Sequence, residues 1–267
     1  MQQKQLENFR AWFNDYVAGF YGDDEYVNAN LKMKEQHTHR TCAEMRYLAQ
    51  EVGLSDNQKQ VAQVVALFHD IGRFEQFTRY RTYNDTRSTN HCVLGVKVLG
   101  LAKVLQELDT IERQWIVKAI EYHGRRELPK DLNGQTLLFS KLIRDADKLD
   151  VFYTVTEYYR KYRDNPDEFM LELEFADEPG YCPEVIKGVE QGRLIDYSEL
   201  RTLNDAKLAQ LGWVYDVNFP ATLRRIRQRR FLEALLEFLP KTDDIERVKE
   251  KMFEYVEARL SKERELP

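Results

Sequence analysis

The run Val61-Ala62-Gln63-Val64-Val65-Ala66-Leu67-Phe68, followed at once by His69 and Asp70, constrains the fold of this chain more than any other stretch. Its apolar positions cover almost the whole circumference of a helix, which makes the segment central and buried on all sides. Ser55-Asp56-Asn57-Gln58 reads as a capping box for it, with Ser55 as N-cap and Gln58 reaching back, and Gly72 is placed to end it. Such a helix delivers an imidazole and a carboxylate side by side to its last turn. Both must be satisfied there, because unpaired buried polar groups and charges are expensive. A metal ion does this, since neutral imidazole nitrogen and carboxylate oxygen are natural ligands. A hydrogen-bonded His/Asp pair at a helix end does it too. The stretch alone leaves both open.

Helical spacing recurs on either side. Leu6, Phe9, Phe13, Tyr16, Val17 and Phe20 give residues 4–20 a broad aromatic face. A second helix is expected from about Asn30 to Val52, with Gly53 as its C-terminal cap. Residues 73–90 carry Arg, Tyr, Thr and Asp with no apolar period, so they read as an irregular loop. Arg79, Tyr80, Arg81, Tyr83 and Asp85 are candidates there for setting specificity. His91 opens a further helical pattern. Asp109-Thr110-Ile111-Glu112 reads as a second capping box, starting a helix that runs to His123-Gly124. A long helix is expected over about 136–162, then an irregular excursion over 164–184. Helical spacing resumes from about Asp205, again from Pro220 to Phe238, and finally from Thr242 to Leu260. No strand pattern appears, so the fold class is all-α. The division expected is a helical core over 1–163, with the excursion and C-terminal helices of 164–267 packed on it as one unit.

Composition narrows the function classes. Hydrophobic residues make up 43% and charged residues 32% of the chain, the mix of an ordinary globular protein. A net charge of −5 argues against a general electrostatic grip on nucleic acid. The arginines at 224, 225, 227, 229 and 230 are interleaved with core positions and followed by Glu233 and Glu237, so they read as a solvated or ion-paired helix face. Cys42, Cys92 and Cys182 show no CxxC spacing and read as incidental thiols of a reduced, cytoplasmic protein. The N-terminus lacks an apolar signal region, and no apolar run approaches the ~20 residues of a membrane span. Oligomeric state stays open.

The five histidines lie at 37, 39, 69, 91 and 123. His37 shares a helix face with Met33, Arg40, Thr41 and Glu44, whereas His39 points about 200° away, so the two do not serve one site. His91 and His123 fall at helix ends, where side chains converge on a common cavity. Asp145 and Asp147 also diverge by about 200°, and the apolar face of Leu138, Leu142, Leu149 and Phe152 lies nearer Asp145. Periodicity alone therefore favours Asp145 as the buried acid.

Taken in chain order, these residues resemble the HD-domain superfamily of metal-dependent phosphohydrolases. Its signature is a histidine, then a His-Asp doublet, then an aspartate on a later helix. The resemblance rests on Lys34-Glu35-Gln36-His37-Thr38, on Ala66-Leu67-Phe68-His69-Asp70-Ile71-Gly72-Arg73-Phe74 and on Ala146-Asp147-Lys148-Leu149-Asp150, and it covers residues 28–160. It implies an HD-domain helical core with a C-terminal helical extension. It also implies His37, His69, Asp70 and Asp147 as ligands of a first ion. His37 is preferred to His39 because Arg40 stands three residues on. Asp147 is preferred to Asp145, against the periodicity, because it lies between Ala146 and Lys148. The segment from His91 to Leu99 is similar to the corresponding helix of two-metal members, including cyclic-nucleotide phosphodiesterase relatives. That similarity implies His91 and His123 as ligands of a second ion, with Asp70 bridging. The other reading of both histidines is contact with a substrate phosphate or capping of their helices.

The activity implied is hydrolysis of a small phosphorylated compound, of the nucleotide or phosphodiester class, by water activated on one or two divalent ions (Mn, Mg, Fe, Co or Ni). Catalysis of this type is mostly positioning and electrostatics. Asp70, Arg73 and Lys148 are accordingly the catalytic candidates. Arg73, Arg144 and Lys148 are the candidates for binding substrate, with surface ion pairing as the competing account of the last two. Two rival functions remain: a di-iron oxygenase on the same ligands, and a regulatory nucleotide-binding module that keeps the fold without the catalysis.

Overall fold

The computed structural model describes residues 1, 3–165 and 175–264. The described residues are helical with a single isolated bridge, Ala176 to Thr202, so the all-α class holds. The chain divides into two compact units, Met1–Asp150 and Val151–Pro267.

The first unit is built around α3, Asp56–Phe68, which packs against α1 (Gln3–Ala18), α2 (Glu25–Glu51) and α6 (Thr110–Tyr122). Val61 through Phe68 are all buried, as an all-round apolar helix requires, and the Ser55 capping box is formed. The ring of Phe68 meets Phe9 and Trp12 of α1 edge-on at 5.9 and 5.7 Å. Such pairs add about 0.5–1.5 kcal/mol beyond their buried area, which fixes the aromatic face of α1 over the centre.

Several expectations are corrected. Helix α2 begins at Glu25, five residues earlier than expected, because Asp24 accepts from the Val27 N–H at 3.0 Å and caps it. Gly53 does close it, at φ 73°. Residues 73–90 are not irregular throughout, since Gly72–Tyr80 form α4 with Phe74 and Phe77 buried. Two aromatic residues three apart are enough to seat a nine-residue helix but too few to show a period. Gly72 therefore starts a helix and does not end one. Its role lies in close approach: a Cβ there would sit 2.3 Å from the His91 carbonyl oxygen and 2.6 Å from the Gly95 nitrogen. This contact seats α4 against α5 (His91–Leu101) and brings the end of the α3 segment to the start of α5. Asp109 caps α6 through the Ile111 N–H, but no capping box forms, because Glu112 turns to Asn57 at 2.8 Å. Helix α7, Gly134–Asp164, carries the later aspartates.

The second unit contains α8 (Pro183–Glu190), α9 (Leu203–Gly212), α10 (Pro220–Gln228), α11 (Phe231–Leu236) and α12 (Asp243–Arg264). Helix α8 packs on α9 and α12, and α10 on α11 and α12. The single helix expected from Pro220 to Phe238 is two, split where Arg230 adopts a left-handed φ of 55°. Arg227 pairs with Glu257 at 2.6 Å and Arg230 approaches Glu233 at 3.8 Å, in keeping with an ion-paired face. Part of the excursion expected over 164–184 falls on residues 166–174, outside the described residues. Of the rest, Pro183 opens α8. Asp205 is fully buried near the start of α9, where it accepts from the backbone N–H groups of Cys182 (2.7 Å), Arg201 and Thr202 (3.0 Å each). Among the described residues no helix is long and apolar enough to cross a membrane.

Candidate metal centre

Helices α2, α3, α5, α6 and α7 bring His37, His69, Asp70, His91, His123 and Asp147 together within the first unit. All but Asp147 are buried, and Asp147 is half-buried. His39 stays outside, half-exposed and 3.9 Å from Glu35, as its helix face requires.

Each site imidazole has its Nδ1 committed. That of His37 donates to Asp150 Oδ2 at 2.7 Å and that of His91 to Asp85 Oδ2 at 2.7 Å. Those of His69 and His123 donate to the carbonyl oxygens of Ala66 and Ile120, each at 2.8 Å. In the neutral ring, every Nε2 then turns inward with a lone pair. The His37 and His69 Nε2 atoms lie 3.2 Å apart, and so do those of His91 and His123. Two facing lone pairs repel unless a proton or cation lies between them.

Asp70 sits between the two pairs. Its Oδ2 is 3.5 Å from His37 Nε2 and 3.7 Å from His69 Nε2. Its Oδ1 is 3.4 Å from His91 Nε2 and 3.6 Å from His123 Nε2. Asp147 Oδ1 joins the first pair only, at 3.2 Å from His37 and 3.9 Å from His69. Inward lone pairs around a shared carboxylate are a donor set that fits divalent cations. The structure thus brings Asp147 to the histidines. Asp145, which periodicity favoured, is fully buried.

The outer contacts explain the orientation. Arg40 grips Asp150 through Nε (2.5 Å) and Nη2 (3.0 Å), fixing the carboxylate behind His37. Arg73 Nη1 donates to the Tyr83 carbonyl, Asp85 Oδ1 and Gln76 Oε1 at 2.6–2.9 Å, and its Nε is 3.5 Å from Asp70 Oδ1. Gln76, fully buried, holds Asp85, Ser88 and the Thr89 carbonyl. Together they aim Asp85 at His91. Arg144 is buried, and its guanidinium donates to the carbonyl oxygens of His123, Arg125 and Arg126, closing the end of α6. Lys148 is half-buried, next to Asp147 on α7.

Sequence reasoning missed Lys34 and Cys92. Lys34 Nζ lies 2.9 Å from Asp70 Oδ2 and over the Tyr83 ring at 5.2 Å. The available signal was its position one turn before His37. Cys92 is not remote from the chemistry, as an incidental thiol would be. Its Sγ is 3.3 Å from His91 Nε2 and 3.5 Å from His123 Nδ1.

The titration of the site follows from this crowding. Burial pushes His69 down to about 4. Burial and Lys34 also press His37 down, but its bonds to Asp147 and Asp150 outweigh them and raise it. Burial opposes the charge on Asp70, yet Lys34, His69 and the His123 bond hold it well below the usual carboxylate range. Asp85 falls to about 2, burial being outweighed by its bond to His91.

The HD domain family model matches residues 35–151, which contain both histidine pairs, Asp70 and Asp147. No curated protein and no solved structure matches the chain at a significant level.

Proposed function

With residues 35–151 forming an HD domain, we propose that the chain is a metal-dependent hydrolase of phosphate esters. The substrate we assign is a small phosphorylated compound of the nucleotide class. The observation that carries the reading is the carboxylate of Asp70, each oxygen of which is turned to a different pair of imidazole lone pairs. In this reading His37, His69, Asp70 and Asp147 hold a first ion, and Asp70, His91 and His123 a second. Such ions supply Lewis acidity and a water nucleophile at neutral pH.

The chain's own residues do the positioning. Asp150 and Asp85 keep the Nδ1–H tautomers of His37 and His91, so that their Nε2 atoms stay available. Arg73 is a positioning residue, because its hydrogen bonds hold Asp85 and the loop while its Nε stands 3.5 Å from the Asp70 carboxylate. Arg144 acts on the α6 terminus that carries His123, which supports a positioning role over direct substrate contact. Lys34 and Lys148 are the cations we assign to the substrate phosphate. Lys34 is 17% exposed at its side chain and bonds the carboxylate whose charge divalent ions would share, leaving its ammonium for a phosphoryl oxygen.

The test is phosphate release from a panel of nucleotides and sugar phosphates with Mn, Co, Ni or Mg. Release that requires the metal, stops on chelation and falls at least about 10³-fold in Asp70→Ala is expected. Unchanged release in that variant contradicts the reading. A stoichiometric di-iron centre that consumes oxygen with substrate would move the protein to the oxygenase class.

A further inference from the structure

We propose that Cys92 is a sulfur ligand of the second ion, making the His91/His123 side of the site thiolate-bearing and the His37/His69 side free of sulfur. The inference deepens the metal-hydrolase reading and rests on it.

The argument begins with room for sulfur. Cys92 follows His91 in the first turn of α5, and its side chain is 2% exposed. Opposite it stands Gly124, where a Cβ would lie 2.8 Å from Cys92 Sγ and 3.1 Å from His91 Cε1. Any other residue at 124 would push the thiol off the imidazoles.

Three donors already stand at the spacing of one ion, with the sulfur beside one of them. Asp70 Oδ1, His91 Nε2 and His123 Nε2 stand 3.4, 3.6 and 3.2 Å apart. Donors around a four-coordinate ion bound at about 2.0–2.3 Å are roughly 3.3–3.7 Å from one another. Cys92 Sγ stands 3.3 Å from His91 Nε2, and His91, Cys92 and His123 form one cluster of donor atoms.

The hydrogen-bond count decides the sulfur's state. The thiol touches two ring nitrogens, His91 Nε2 and His123 Nδ1. The second already donates to the Ile120 carbonyl, so the S–H can be accepted only by the His91 Nε2 lone pair. An ion on His91 takes that lone pair. A buried S–H is then left without an acceptor, unless its proton leaves to solvent and the sulfur joins the ion. Ligation resolves the conflict: the S–H bond breaks, the metal–sulfur bond forms, and one proton is released for each ion bound. A soft thiolate also biases this side towards Zn, Co or Fe over Mg or Mn.

The experiment is cobalt(II) titration of the chelator-stripped full chain, followed by absorption and by metal content. Two equivalents are expected, the second bringing a sulfur-to-cobalt charge-transfer band in the near ultraviolet. Cys92→Ser should lose that band and bind the second ion about tenfold or more weakly. Its apo melting curve serves as the folding control, and Cys42→Ser and Cys182→Ser should keep the band. Two equivalents without the band, or a band that survives Cys92→Ser, overturns the inference. A titration that stops at one equivalent overturns it as well. If Asp147→Ala then removes that one ion, the hydrolase reading stands, whereas a chain that binds no cobalt ends both.

Discussion

Asp70 in the first unit and Asp205 in the second are both buried acids held below their ordinary titration range, and they reach that condition by opposite routes. Asp205 is surrounded by donors from its own neighbourhood. The N–H groups of Cys182, Arg201 and Thr202 and the Cys182 thiol all point at it, and its lone pairs are spent. Asp70 is surrounded by the imidazoles of its neighbour His69 and of His37, His91 and His123 from three other helices, with Lys34 as its nearest cation. One carboxylate closes a structure, while the other is an acceptor among acceptors. A buried acid therefore marks a site when its neighbours are also electron-pair donors, and a brace when they are N–H groups.

The largest effect that would sharpen this contrast is on activity. Asp70→Ala should lower metal-dependent phosphate release by at least about 10³-fold, roughly 4 kcal/mol of barrier, while the apo melting temperature changes little. Steady-state kinetics beside a thermal melt reads both. Asp205→Ala should do the reverse. Several buried donors lose their acceptor, which costs about 3 kcal/mol and lowers the melting temperature on the order of 10 °C, while the metal content of the folded protein is kept. Next in size is the outer carboxylate of the second pair. Asp85→Ala should weaken one ion about 10–100-fold in a competition titration and leave the other alone, because Asp85 orients His91 and not His37.

The smallest expected effect concerns acid. Burial works against the charge on Asp205, but the backbone N–H groups of Cys182, Arg201 and Thr202 outweigh it, so its folded pKa lies below the unfolded one. The stability it contributes is complete above the unfolded value near 3.9 and is lost as pH falls through the folded value. Wild-type stability should therefore drop more steeply below about pH 4 than that of Asp205→Asn, as denaturant melts across pH would show.

How much of this could be read from the chain varies by element. The all-round apolar helix ending in His69-Asp70 was plain, because its burial is a property of consecutive residues. The choice of Asp147 came from the resemblance alone. Helix periodicity ranked Asp145 higher, since Asp147 is half-buried beside the histidines and not in the apolar core. Helix α4 was missed because two buried phenylalanines do not make a period. The functions of Gly72 and Gly124 were out of reach, since each is set by atoms of residues distant in sequence. Lys34 and Cys92 were visible as residues, yet their partners lie across helices and appear only once those helices pack.

The central claim is that one carboxylate serves two ions, and metal stoichiometry tests it most directly. Elemental analysis after equilibrium dialysis should give two ions per wild-type chain, one in Asp147→Ala, one in His91→Ala and none in Asp70→Ala. Two ions retained in Asp70→Ala, or a wild-type chain that binds a single ion unaffected by His91→Ala, would contradict it.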